Sequence, residues 1–184
     1  SIISKMNKLT FTLLLSLMML GGLSAQVIFE ENFEGATLPD GWTITTNAND
    51  GGWLVGSAPA LSSQAFPIES NGSSRIIATN DDGCNCNKSN EYLIMPPLDL
   101  SDMTGVVLSF DAFYTDQSYQ GNQEDATIEV SLDGTNWTVL EDLHGHGSWD
   151  RHNVDLSAYA GEANVLVGFR YDDGGGWLYG FAID

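Results

Sequence analysis

From Gln26 onward the apolar residues fall in short runs, either alternating with polar ones or rich in β-branched side chains. Gly, Asn, Asp or Pro cuts each run after a few residues, and no long stretch carries a helical period. Val27-Ile28-Phe29 leads towards Phe33, and Trp42–Thr45 follows the turn signal Pro39-Asp40-Gly41. Arg75–Thr79 and Tyr92–Met95 bracket a polar loop, and Val106–Tyr114 is the longest run. Ala126–Leu132 alternates strictly, with Ile128, Val130 and Leu132 on one face and Thr127, Glu129 and Ser131 on the other. Asp133-Gly134 then predicts a hairpin turn into Trp137–Leu140. Trp149–Leu156, Val165–Tyr171 and Trp177–Ile183 complete about ten strands, with one helical turn expected at Asp155–Tyr159. No segment offers the crossover helices of a parallel sheet. The pattern predicts one all-β domain, an antiparallel β-sandwich of jelly-roll type. Trp177 to Asp184 reads as a strand still running where the sequence stops, so the domain either closes there or continues beyond it.

The first twenty-five residues follow a different rule. Met6 is the expected start, with Ser1–Lys5 upstream of it. Asn7-Lys8 precedes an apolar run from Leu9 to Leu20, and Gly21-Gly22-Leu23-Ser24-Ala25 follows. A basic start, a short apolar centre and small residues before a polar one describe a secretory signal peptide cleaved after Ala25. The run is shorter than a transmembrane helix requires, so no membrane insertion is expected after cleavage. Residues 26–184 remain as a single domain, large enough to bury its own core.

Charge narrows the partners. The chain carries 25 acidic residues against 6 basic ones, a formal net charge of −19, and removal of Lys5 and Lys8 takes it to −21. Neither nucleic acid nor an anionic membrane surface is expected as a partner, because both are held by clustered Lys and Arg. Like-charge repulsion of this size opposes the compact state and favours bound cations.

Several ordered motifs resemble the cleaved-adhesin or choice-of-anchor J domains, relatives of the MAM-type jelly roll. Glu31-Asn32-Phe33-Glu34-Gly35 and Leu38-Pro39-Asp40-Gly41-Trp42 open the series. Asn80-Asp81, Tyr92–Ser101 (YLIMPPLDLS), Leu108-Ser109-Phe110, Glu129–Gly134 (EVSLDG) and Trp137-Thr138 follow in order. Val154–Gly161 (VDLSAYAG), Gly168-Phe169-Arg170-Tyr171 and Phe181-Ala182-Ile183-Asp184 finish it. Such domains occur in gingipain adhesin regions and in surface proteins exported by type IX secretion. The resemblance implies a calcium-binding jelly roll that serves as an adhesive or ligand-binding module, often beside a peptidase or a sorting domain. No protease domain is present in these residues. The family's usual second Asp after Ile183-Asp184 is also missing from the sequence, so a metal site needing it is expected to be incomplete.

Calcium takes six to eight oxygens. Glu31, Glu34, Asp111 and Asp184 are the first candidate set, gathered if the opening and closing segments pair. The alternative is a solvated acidic surface, and the charge and the resemblance favour calcium. A second candidate loop holds Asn80, Asp81, Asp82 and Asn90 around Gly83, without the EF-hand register. A calcium loop and a polar turn-rich loop are both open readings of it. Cys84-x-Cys86 departs from zinc spacing, and an exported chain favours a local disulfide. His144, His146 and His152 with Asp150 read as surface histidines near Gly145 and Gly147 rather than as a zinc site.

No G-x-S-x-G elbow and no H-E-x-x-H motif is present, so this domain is not expected to be an enzyme. Trp177, Tyr179 and Phe181 alternate as a core row would. Trp53, after the flexible Gly51-Gly52, is the candidate for an exposed ring, with Tyr114, Tyr119 and Arg170 as companions in a ligand face. The functional expectation is a secreted or surface-attached, calcium-stabilised binding module, adhering to host or matrix protein. The rivals are a carbohydrate-binding module and a non-catalytic accessory domain of a larger secreted peptidase or glycosidase.

Overall fold

A computed structural model describes residues 26–184, so the signal peptide expected at 1–25 lies outside the described residues. Glu31–Asp184 forms one compact unit. Its strands are β1 (Thr43–Thr45), β2 (Leu54–Gly56), β3 (Ile76–Asn80), β4 (Glu91–Ile94), β5 (Val107–Tyr114) and β6 (Ser118–Tyr119). They continue as β7 (Asn122–Gln123), β8 (Asp125–Ser131), β9 (Thr138–Asp142), β10 (Ser148–Asp155), β11 (Leu166–Asp172) and β12 (Gly180–Ile183). Two short helices, α1 (Ala58–Leu61) and α2 (Asp81–Cys84), and a 3₁₀ turn at Ser157–Tyr159 complete the elements. Among the described residues, no helix is long and apolar enough to cross a membrane.

Two five-stranded sheets face each other, in the orders β1-β4-β11-β8-β9 and β10-β5-β12-β3-β2, and every pairing is antiparallel. The expected antiparallel β-sandwich is therefore the observed architecture. Side-chain alternation assigns the faces. Phe110 of β5 meets Phe169 of β11 edge-on at 5.0 Å between the sheets, and Trp42 stacks on Phe169 at 6.3 Å. The outward residues Ile76, Ala78, Phe113 and Ala182 are buried as well, because residues of the β2–β3 connection, Ala58, Phe66 and Ile68, cover them. This second sheet thus has two dry faces, so β12 reads as a nearly continuous apolar run.

The boundaries predicted from the pattern hold for most strands, and three points differ. Residues 26–42 contain no strand; Phe33 is buried against Trp42 at 5.2 Å, so it contributes packing rather than pairing. Strand β2 and the two-residue pair β6–β7 are too short to show a period in the sequence. Trp177 lies before β12, in the loop, and is 51% exposed, so it leaves the core row that Phe181 occupies.

Candidate functional site

One end of the sandwich collects the connections β1–β2, β3–β4, β5–β8, β9–β10 and β11–β12. The register shows why: Gly180 pairs with Asn80, Phe181 with Tyr114, Tyr171 with Glu91, Asp172 with Asp125 and Ser148 with Tyr114. Four carboxylates are buried at this end, Asp81, Glu91, Glu124 and Asp173. One buried ammonium, that of Lys88, faces them.

Lys88 is 0% exposed and fills an oxygen cage. Its Nζ donates to Asp50 Oδ1 at 2.7 Å, to Asp50 Oδ2 at 2.8 Å and to the Gly52 carbonyl at 3.0 Å. Gly52 is required there: it has φ +81°, and a Cβ would stand 2.5 Å from Glu91 Oε2 and 2.9 Å from Thr46 Cβ. Glu91 in turn accepts from the Thr46 hydroxyl at 2.6 Å and the Asn47 amide at 3.3 Å, which ties the β1–β2 loop to the start of β4.

Asp173 carries the β11–β12 loop. It accepts from the Lys88 amide at 2.8 Å, the Ser89 hydroxyl at 2.8 Å and the Gly175 amide at 2.9 Å. Glu124 accepts from the hydroxyl of Thr115, from the Gln117 amide at 3.1 Å, from the Tyr171 hydroxyl at 3.0 Å and from the Gly180 amide at 3.3 Å. Burial still raises its pKa, outweighing those donors. Asp81 accepts from the Leu178 amide through Oδ2, while its buried Oδ1 has no hydrogen-bond partner. Burial, helped by the neighbouring Asp173 charge, pushes Asp81 up to about 6.

Above Asp81 and Asp173 opens a cleft of about 350 Å³, lined also by Asn85, Asn87, Ser89 and Trp177. Cys84 and Cys86 are joined by the expected disulfide, which closes one wall. The β6–β7 hairpin packs against the β11–β12 loop, since a Cβ on Gly176 would meet Asn122 Nδ2 at 2.5 Å. Tyr119 at the hairpin tip is 45% exposed.

The second candidate set is thus divided. Asp81 faces the cleft, whereas Asn80 caps α2 by accepting from Gly83 at 2.8 Å, and Asp82 accepts from the Ala65 amide at 3.0 Å. Asn90 accepts from Arg170 Nε at 3.0 Å. The sulfurs of Cys84 and Cys86 approach Asp50 closely, but a disulfide offers no thiolate to a metal.

The expected ligand face is corrected. Trp53 is buried edge-on to Phe181 at 5.3 Å, and Tyr114 is buried at 5.8 Å from the same ring. Arg170 is clamped by Asp125 at 2.6 Å and Asp172 at 2.8 Å. Tyr119 is exposed, and the half-exposed indole at this end is that of Trp177 rather than Trp53. The signal that favoured Trp53 was a glycine turn, and that turn serves Lys88 instead.

The first candidate set lies elsewhere and comes together in part. Asp184 Oδ2 accepts from Asn71 Nδ2 at 2.7 Å and the Ser73 hydroxyl at 2.6 Å, and its buried Oδ1 has no hydrogen-bond partner. Glu34 accepts from the Ser74 amide of the same loop at 2.8 Å. Asp111 exchanges both backbone hydrogen bonds with Asp184 at 2.9 Å, but its carboxylate holds Arg151 at 2.7 Å. Glu31 caps its own turn at Asn32 and Phe33. The opening and closing segments do meet, through the 71–74 loop rather than by strand pairing. Glu34 and Asp184 thus hold adjacent residues of one loop with oxygens of the kind a hard cation takes, whereas Asp111 is committed to Arg151.

The histidines stay apart. His144 pairs with Asp116 at 2.9 Å, His146 with Asp150 at 3.4 Å, and His152 stacks on Phe110. Among the described residues they form no metal-holding group.

No protein-family model matches the chain, and no curated protein matches it. Solved structures do. The K1 cleaved adhesin domain of Lys-gingipain from Porphyromonas gingivalis W83 is 23% identical, with a TM-score of 0.58 over 84% of this chain and 92% of that one. The K3 domain from the same organism is 19% identical, with a TM-score of 0.58 over 85% of this chain and 95% of that one. The K2 domain of Lys-gingipain is 20% identical, with a TM-score of 0.57 over 85% of this chain and 94% of that one. In fold, the chain is similar to the cleaved adhesin domains that its sequence motifs resemble.

Proposed function

We propose that this domain is an extracellular or cell-surface binding module, stabilised by calcium, whose loop end adheres to a host or matrix protein. The observation that carries the reading is the cleft beside Trp177. The Asn85 and Asn87 amides and the Ser89 hydroxyl of the β3–β4 connection stand beside a half-exposed indole of the β11–β12 loop, with Tyr119 exposed on the β6–β7 hairpin. Few precisely placed polar groups around an aromatic surface are what recognition sites are made of. The fold shared with domains named as adhesins supports the same reading. An exposed Trp beside Asn and Ser also suits a sugar ring, so a glycan is the second reading.

Calcium would be held by Glu34 and Asp184, whose unpartnered oxygen calls for a cation. Its role there is structural, joining the first segment, the 71–74 loop and the last strand. Extracellular modules work with weak sites of about 10⁻⁴ to 10⁻³ M, and an ion at ten times its Kd adds about 1.4 kcal/mol.

The test is binding of the full chain to immobilised matrix proteins and to polysaccharide arrays, with Trp177→Ala and Tyr119→Ala beside it. Both rings are exposed, so neither change should move stability by more than about 0.5 kcal/mol. A tenfold or greater loss of binding in either variant supports the loop end as the ligand face. Binding that survives both variants removes it, and the class of ligand retained decides between protein and glycan.

A further inference from the structure

The Trp177 indole borders the cleft and is half exposed. Its Nε1 donates to the Asp82 carbonyl at 3.4 Å, which anchors one edge of the ring. Among the described residues no other aromatic ring pairs with it. The cleft lining holds the carboxylates of Asp81 and Asp173 and no cationic side chain. Lys88, Arg151 and Arg170 are committed to Asp50, Asp111 and the Asp125–Asp172 pair. The two cleft carboxylates are closed to a ligand: Asp173 accepts through both oxygens, and Asp81 is 1% exposed. Their charge still reaches the cleft as a field, because buried charges are screened less than exposed ones. A small, strongly hydrated ion finds no open carboxylate here to replace its water. A guanidinium needs none: it is planar and weakly hydrated, stacks on an indole, and brings its own donors to neutral oxygens.

Building on the loop end as the ligand face, we infer that the cleft receives an arginine side chain of a protein partner. The guanidinium stacks on Trp177, and its N–H groups donate to the rim oxygens of Asn85, Asn87 and Ser89. Charge complementarity selects this occupant, since a domain of net charge −21 draws basic partners and repels acidic ones. A cleft of about 350 Å³ lies at the small end of ligand pockets, the size for one inserted side chain.

The probes are the end-capped peptide Gly-Gly-Arg-Gly-Gly and its citrulline counterpart, in which a neutral urea of the same shape replaces the cation. Proton NMR with the full chain reads both the affinity and the upfield ring-current shift of the arginine Cδ protons. The arginine peptide should bind about tenfold or more tightly than the citrulline one. Trp177→Leu should abolish the shift and that preference, while Trp177→Phe, which keeps a ring, should retain the shift and part of the affinity. Equal binding of the two peptides overturns the inference, as does arginine binding unchanged in Trp177→Leu. Ring-current shifts on a neutral oligosaccharide, with none on arginine, also overturn it, in favour of a glycan. The inference and the loop-end reading fail separately. A matrix protein lost with Trp177→Ala but without any arginine preference overturns only the inference. Arginine preference without any bound matrix protein supports the inference and removes the adhesive reading.

Discussion

Removal of the Lys88 ammonium tests whether an internal cation holds the loop end together. Lys88→Met keeps an unbranched apolar stem of similar length and deletes only the charge and its donors. The ammonium is fully buried and touches both oxygens of Asp50 and the carbonyl of Gly52 within 3.0 Å. Breaking a buried pair by removing one partner costs about 3–5 kcal/mol. Asp50 retains 26% side-chain exposure, so water compensates it in part, and the lower end, about 3 kcal/mol, is expected. For a chain of this size each kcal/mol moves the Tm by about 2–4 °C, which predicts a fall of about 6–12 °C. The assay is thermal and urea unfolding in chelator, so that no metal can take the vacated cage. Asp50→Asn on the Lys88→Met background should recover part of the loss, since the stranded charge is then gone. A Lys88→Met protein within about 1 kcal/mol of the unaltered chain would refute the cage as a stabilising element.

Three further outcomes are expected. Trp53→Ala opens a cavity beside Phe181 and should cost about 3–5 kcal/mol in urea unfolding, while the fraction that stays folded binds ligand unchanged. Replacing Cys84 and Cys86 together by Ser opens a ring of only three residues, so unfolding should show a loss of about 1.5 kcal/mol and no more. Glu124 sets a pH dependence: burial raises its folded pKa above the ordinary 4.5, with Asp81, Tyr114 and Tyr171 as the titratable groups beside it. The folded chain then binds more protons across that window, so stability is present below 4.5 and lost as pH rises through the folded value. In chelator the Tm should be higher at pH 5 than at pH 7.5, and Glu124→Gln should flatten the difference; a Tm that rises with pH in the unaltered chain would contradict the sign.

The sandwich was legible because strand alternation is a local property. Ala126–Leu132 shows its strand in the sequence itself, and the Asp133-Gly134 turn fixes its partner strand, although Thr127, Glu129 and Ser131 are buried with the apolar face and Leu132 is exposed past the strand's end. The site was legible only in outline. Oxygen-rich residues at 80–90 and a disulfide were visible in the chain, but Asp173 and Lys88 were not singled out, since nothing local marks an Asp in a glycine loop as buried. Asp173 is buried because the β11–β12 loop meets the β3–β4 loop, and that contact spans 85 residues. Trp53 and Trp177 differ in burial for the same reason. Glycines precede both, yet Trp53 packs on Phe181 after a Gly52 held close to Glu91 and Thr46, while Trp177 stays half exposed.

A net charge of −21 on residues 26–184 does not spread evenly over this fold. The outer strands meet it with ordinary surface pairs, such as Arg151 on Asp111, which screening by salt makes weak. The loop end meets it with a buried ammonium, and that single lysine balances Asp50 while leaving Asp81 without a countercharge. If the acids were only a solvated surface, they would be exposed and hydrated, and burial would not raise the pKa of Asp81, Glu91 and Glu124 together. Carboxylates taken out of water at a loop cluster are costly to keep unless a cation or a ligand repays the desolvation. The buried carboxylates of the loop end are therefore the costliest part of this charge. The remaining unpartnered carboxylate oxygen of the first candidate set, that of Asp184, gives the last test: Asp184→Asn should lower the Tm in calcium, while ligand binding at the loop end persists.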